Sequence, residues 1–334
     1  MELEMFPVDE FEIEDTSACR LHATPEGVAA FLNDGLGLSV HWGLYSLFGR
    51  GEWAYANERI PWEAYLRRMG QFDPTRFAAD EWADLMLESG QRFLLITSKH
   101  HDGFCLWDTE LTDFKITNTA FRRDALAELA RALHERGLRL HFYYSLLDWT
   151  HPAYRTDWPA YVAYYQGQIR ELCTRFGDIA GFLFDGYWPR FGFSGETAQL
   201  FQPRGAFDLA TTFDLIHSLQ PAAVVTNNGH VLPQPGEDYQ IWEMDMPGEN
   251  TQGFNTTDVG DRPKAVWWNL NSGWSYNPGG HAVKSADEIM ETLRKARSQD
   301  AVFMLNVGPR PYGDIHPEEQ QVLREIGQRL RQDG

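Results

Sequence analysis

One stretch constrains the fold more than any other. Ile179 to Phe184 is an unbroken small and apolar run, and it leads straight into Asp185-Gly186-Tyr187-Trp188. A strand with one solvated face alternates apolar and polar residues. This run does not, so it is expected to be buried on both faces, as strands of a helix-covered parallel sheet are. Gly186 ends it. Asp185 then stands at the C-terminal end of a core strand, where parallel α/β folds present their chemistry. A carboxylate there can also cap the next turn, so the stretch alone leaves the choice open.

The pattern recurs along the chain. Strands are expected at Leu36–His41, Phe93–Ser98, Leu138–Tyr144, Ile179–Phe184, Ala222–Asn227, Asp238–Trp242, Ala265–Leu270 and Ala301–Val307. Helical spacing is found at 25–33, 60–69, 80–89, 124–136, 161–176, 207–219, 286–298 and 317–331, several of these segments stopped by Gly or preceded by a capping residue. No convincing helix lies between Asn228 and Asn271. Eight strands with mostly helical connections predict a (β/α)8 barrel over residues 25–334, preceded by an irregular acidic segment, 1–24; an open doubly wound sheet is the rival. The 334 residues suit a single domain of this kind.

Charge narrows the partners. The net charge of −19 repels nucleic acid and anionic membranes and tolerates a neutral small molecule. No apolar run approaches the ~20 residues that span a bilayer. Cys19, Cys105 and Cys173 are few, odd in number and widely spaced, which fits a reducing compartment. With an N-terminus that lacks signal-peptide character, the expected location is cytoplasmic. The oligomeric state is open, a homo-oligomer included.

If the barrel forms, its C-terminal strand ends gather His41, His100, His101, Tyr144, Asp185, Asn228, Glu243, Asn269 and Asn306 on one face. Singly, each has a plain structural explanation: a satisfied histidine, a tethered tyrosine, an Asn-Gly turn, a surface charge. Jointly they fall at one end of nearly every strand. Two carboxylates among neutral donors is the equipment of glycoside hydrolysis, and Trp42, Trp53, Trp188 and Trp274 are candidates to stack on a sugar. No phosphate-binding Gly-rich loop with a following Lys is present. A metal hydrolase is the competing class. It is disfavoured because His100 and His101 would point to opposite faces of a regular strand and no zinc-binding spacing occurs. No metal or cofactor is therefore expected.

Longer motifs carry a family resemblance. Gly37-Leu-Ser-Val-His-Trp-Gly43, Gly51-Glu-Trp53, Glu81-Trp-Ala-Asp-Leu85 and Thr97-Ser-Lys-His-His-Asp-Gly-Phe-Cys-Leu-Trp107 open the series. Tyr143-Tyr-Ser-Leu-Leu-Asp-Trp149, Leu183-Phe-Asp-Gly186, Ser272-Gly-Trp-Ser-Tyr-Asn277 and Leu305-Asn-Val-Gly-Pro309 follow in the same order. Together they resemble the α-L-fucosidases of glycoside hydrolase family 29. The resemblance implies a retaining exo-hydrolase of α-L-fucosides on an imperfect (β/α)8 barrel, here without the family's frequent C-terminal β-sandwich. It places Asp185 as nucleophile. His41, His100, His101 and Tyr144 fall on fucose-contacting positions, Glu52-Trp53 on a pair that reaches the sugar, and Trp274 on a pocket aromatic. The acid/base falls on Glu243, with Glu237 and Glu249 as alternatives. The chain departs from the family at Gly229-His230, where an arginine is frequent, and before Trp274. A glycosidase for a related sugar such as α-L-galactose, and a non-catalytic fucose-binding protein, are the competing functions.

Overall fold

The structure, a computed structural model, describes residues 5–8 and 10–333. All eight expected strands are present: β1 (Leu36–Val40), β2 (Phe93–Lys99), β3 (Arg139–Ser145), β4 (Gly181–Asp185), β5 (Val224–Asn227), β6 (Gln240–Glu243), β7 (Lys264–Asn269) and β8 (Ala301–Val307). They form one parallel sheet in the order β5-β4-β3-β2-β1-β8-β7-β6. The longer helices are α1 (Pro25–Asp34), α2 (Ala79–Ser89), α3 (Ala125–His134), α4 (Trp158–Arg175), α5 (Leu209–Leu219), α6 (Ala286–Arg297) and α7 (Pro317–Asp333). Their starts follow the sequence: Thr24, Asp124 and Asp157 cap α1, α3 and α4, and Ser285 with Glu288 forms a capping box on α6. The helical pattern at 60–69 is split into a short helix, Trp62–Leu66, and a 3₁₀ turn, Arg67–Gln71.

The barrel is nearly closed. β5 and β6 are the two ends of the hydrogen-bonded order, and no helix separates β5 from β6 or β6 from β7. Side chains bridge this seam. Asp238 N–H donates to the Val225 carbonyl at 2.7 Å, its Oδ2 accepts from Val225 N–H at 2.8 Å, and Thr226 Oγ1 donates to the Tyr239 carbonyl at 2.6 Å. Carboxylate and hydroxyl groups thus satisfy backbone that a regular ladder would otherwise pair.

Both faces of the strands are buried, in two separate packings. Phe93, Leu95, Tyr143, Leu183, Ile241 and Trp267 fill the barrel interior with Phe31 of α1. Leu94, Ile96, Tyr144, Phe182 and Phe184 face the helical layer. The amino-terminal segment is less irregular than expected: Met5–Pro7 pairs antiparallel with Phe191–Phe193, in the loop after β4.

Candidate active site

Strand alternation decides which residues reach the site. Leu183, Ile241 and Met304 belong to the interior, and two residues on the same parity brings Asp185, Glu243 and Asn306 to the mouth. His41 follows Ser39, whose Oγ meets the interior Trp267 Nε1 at 2.9 Å. These ends open into one small pocket lined by His41, Glu52, His100, His101, Asp185 and Glu243.

Asp185 ends β4 and is 7% exposed. Tyr143 donates to its Oδ2 at 2.7 Å and Trp188 Nε1 to its Oδ1 at 3.0 Å. Burial raises its pKa to about 6, opposed by hydrogen bonds from Tyr143, Gly186, Trp188 and Asn228. The chain turns sharply at Gly186, φ +82°, where a Cβ would lie 2.5 Å from that of Leu147. Only glycine fits both constraints.

Glu243 ends β6 and accepts from Asn228 Nδ2 at 2.7 Å. Asn228 also helps to hold the Asp185 pKa down, so it acts on both carboxyl groups. Burial first, then the charges of Asp185 and Glu52, push Glu243 up to about 8. Asn255 holds the Glu243 backbone, donating to its carbonyl at 2.8 Å.

The histidines are neutral, and their tautomers follow from their partners. Asn306 Nδ2 lies 2.7 Å from the Trp274 carbonyl, which can only accept, so Asn306 Oδ1 faces His41 Nδ1 at 2.8 Å and takes its proton. Ser145 Oγ gives its single proton to the Leu147 carbonyl at 2.6 Å, so it accepts from His101 Nδ1 at 2.6 Å. Both rings therefore keep Nε2 as an acceptor. His101 Nε2 stands 3.7 Å from Asp185 Oδ2. Burial holds His41 down at about 4 and lowers His100 and His101 well below the usual imidazole value.

His100 and His101 do enter the pocket together, with ring centroids 4.1 Å apart. The opposite-face rule does not apply, because β2 ends at Lys99 after a register shift and both rings lie beyond it. Glu52 also lines the pocket, and burial raises its pKa. Trp53 stacks on Trp188 at 6.0 Å, and Trp274 packs against His41 at 5.2 Å.

Four expectations are corrected. Tyr144 does not reach the pocket: it points outward, its hydroxyl donating to Gln168 at 2.7 Å and its ring lying 4.7 Å from the Lys99 ammonium. Its neighbour Tyr143 has the inward parity. Trp42 is likewise outside, stacked on Phe77 at 5.2 Å. Glu237, an alternative acid/base, lies outside the pocket. It is 5% exposed, accepts from Asn227 N–H at 3.0 Å, and burial raises its pKa to about 7. Glu249 lies at the surface beside Lys295, 2.8 Å away. Of the three candidate glutamates, Glu243 alone lines this pocket.

The alpha-L-fucosidase family model matches residues 16–334. The chain belongs to the α-L-fucosidase family. It is similar to alpha-L-fucosidase 1 of Arabidopsis thaliana, 29% identical over 77% of this chain and 52% of the relative, and to human plasma alpha-L-fucosidase, 26% identical over 89% and 66%. It thus spans about half the length of the plant relative. Among solved structures, the isoenzyme 1 fucosidase of Paenibacillus thiaminolyticus superposes with a TM-score of 0.79, 30% identity, and coverage of 92% of this chain and 75% of that one. A Bacteroides thetaiotaomicron α-L-fucosidase, TM-score 0.77, 26% identity, coverage 96% and 78%, was trapped as a covalent intermediate with 2-fluoro-fucosyl fluoride.

Within this family member, Asn228 and Asn306 are strand-end residues that the sequence offered without a role: Asn228 donates to Glu243 and Asn306 orients His41. The sequence reading missed Tyr143, which holds Asp185, Ser145, which orients His101, and Phe254 and Met5, which line the pocket. Strand parity was the available signal for Tyr143. None existed for Met5 or Phe254, which arrive on distant segments.

Proposed function

We propose that the protein is a retaining, exo-acting α-L-fucosidase that releases terminal α-L-fucose from small neutral oligosaccharides or glycosides. The observation that carries this is a pair of buried carboxyl groups, Asp185 and Glu243, lining one pocket, with the charge of Asp185 raising the pKa of Glu243. Retention needs such a pair about 5–5.5 Å apart, as nucleophile and acid/base. The covalent intermediate trapped in the Bacteroides neighbour supports the same reading.

At neutral pH, Asp185, about 6, is mostly ionised and Glu243, about 8, mostly protonated. Asp185 attacks the anomeric carbon while Glu243 gives its proton to the departing oxygen, leaving a fucosyl ester. Glu243, now a carboxylate, takes a proton from water, whose oxygen displaces Asp185. His41 and His101 offer Nε2 acceptors to sugar hydroxyls, and the indoles offer surface to a methyl group. Charge supports a neutral substrate: among the described residues, the pocket lining contains no Lys or Arg.

The test is a panel of aryl α-L-fucoside, aryl α-L-galactoside and linked fuco-oligosaccharides, with the first-formed anomer followed by NMR. Retained configuration and preference for fucose are expected. Inversion, or faster galactoside hydrolysis, overturns the reading. A reducing, cytoplasmic location is part of the proposal, supported by the three free thiols; cell fractionation checks it.

A further inference from the structure

A second set of ligand-type side chains lies apart from the catalytic pocket, where the loop after β7 meets the start of α7. A ring nitrogen from each of His281 and His316 and a carboxylate oxygen of Glu318 all lie within 4.8 Å of one another. The two rings are 4.3 Å apart and tilted by 52°. His281 Nε2 is 4.0 Å from Glu318 Oε2. That nitrogen is buried and has no hydrogen-bond partner, an expensive state for a polar atom unless something else pairs with it.

We propose that His281, His316 and Glu318 form a binding site for a divalent transition metal of the zinc class, structural in role and separate from catalysis. Two imidazoles and one carboxylate suit Zn²⁺, Co²⁺ or Ni²⁺, whereas Mg²⁺ and Ca²⁺ take oxygen ligands. Metal–ligand bonds of about 2.0–2.2 Å require the donors to draw in. Glu318, 62% exposed in its side chain, is free to swing inward, and the histidine pair supplies the fixed side of the site.

The location gives the ion a consequence. His281 lies on the loop that carries Trp274 to the pocket. Two other contacts stiffen that segment: Asn271 Nδ2 donates to Glu319 of α7 at 2.5 Å, and Ser272 bonds the Gly280 carbonyl. A metal bridging His281 to His316 and Glu318 adds a second tie between the loop and α7. The site does not depend on which glycoside the pocket hydrolyses.

The experiment is calorimetric titration of the metal-stripped full chain with Zn²⁺ and with Mg²⁺, for wild type, His281→Ala, His316→Ala and Glu318→Gln, with circular dichroism to check folding. Hydrogen exchange over residues 272–284 is read in parallel. The expected result is one Zn²⁺ per chain, no Mg²⁺ binding, about tenfold or greater loss of affinity in each His variant, and slower exchange in the loop when Zn²⁺ is bound. Glu318→Gln keeps the side-chain size and should also weaken binding. No Zn²⁺ binding, equal Mg²⁺ binding, or unchanged Zn²⁺ affinity in both His variants overturns the proposal. The last result would place the ion on the pocket histidines.

Discussion

Asp185 and Glu243 carry the same functional group, and burial raises both, to about 6 and about 8. The difference comes from hydrogen bonding and from neighbouring charge. Asp185 accepts from Tyr143, Trp188, Gly186 and Asn228, each favouring the charged form, whereas Glu243 has Asn228 and two neighbouring negative charges. The kcat/KM profile should therefore be a bell, rising near pH 6 as Asp185 loses its proton and falling near pH 8 as Glu243 loses its own. Glu243→Gln should abolish the alkaline limb; an unchanged limb would assign it to another group. Glu243→Ala should slow poor leaving groups by roughly 10²–10⁴ and activated aryl fucosides much less, with azide rescuing the latter. Asp185→Asn should cost at least about 10³-fold in kcat with the fold retained, and a 2-fluoro-fucosyl reagent should label Asp185 in the wild type, as peptide mapping would show. Adjacent tyrosines give a sharper contrast. Tyr143→Phe removes a hydrogen bond to a carboxylate, about 1.5–3 kcal/mol, and should lower kcat by about one to two orders of magnitude. Tyr144→Phe should leave kcat and KM unchanged and lower stability, measured by urea unfolding, by about 1 kcal/mol.

At the level of elements, the seam between β5 and β6 is where the barrel depends on side chains. Asp238 accepts from Val225 N–H and Ala23 N–H and pairs with His217 at 2.9 Å. Asp238→Ala leaves these buried groups unpaired and should cost about 2–4 kcal/mol in urea unfolding. Because β6 delivers Glu243, kcat should fall too; full activity together with full stability would refute a closing role for Asp238. The strands were legible because fully buried parallel strands read as apolar runs with polar ends. Helix starts were legible from Thr24 and Ser285, whose caps act locally. Glu237 was not. Its position beyond Pro233, Pro235 and Gly236 reads as a solvated loop, yet tertiary packing folds it under β5 to serve the Asn227 backbone.

For the whole molecule, the charge of −19 acts at long range and is screened by salt. A neutral aryl fucoside should show little dependence of kcat/KM on ionic strength, whereas a sulfated aglycone should be slow at low salt and recover as salt rises. Equal salt dependence for both would mean the field does not reach the pocket. The amino-terminal segment has its own share in the site, since Met5 lines the pocket and Met5–Pro7 pairs with the loop after β4. Deleting residues 1–8 should raise KM for oligosaccharides more than for a small aryl fucoside. No helix among the described residues is long and apolar enough to cross a membrane.

Local physics in the sequence determined the strands, most helix boundaries, and the polar strand ends. Burial, capping and glycine turns act over a few residues and need no knowledge of the fold. Sequence motifs carried the family and placed eight of the nine proposed site residues in one pocket. Tertiary structure alone decided the rest. Parity along β3 exchanged Tyr144 for Tyr143, because neighbours on a strand face opposite ways. A register shift at the end of β2 let His100 and His101 point the same way. Asn228 came to donate to Glu243 because the ends of β5 and β6 meet at the seam, a proximity that no spacing along the chain encodes.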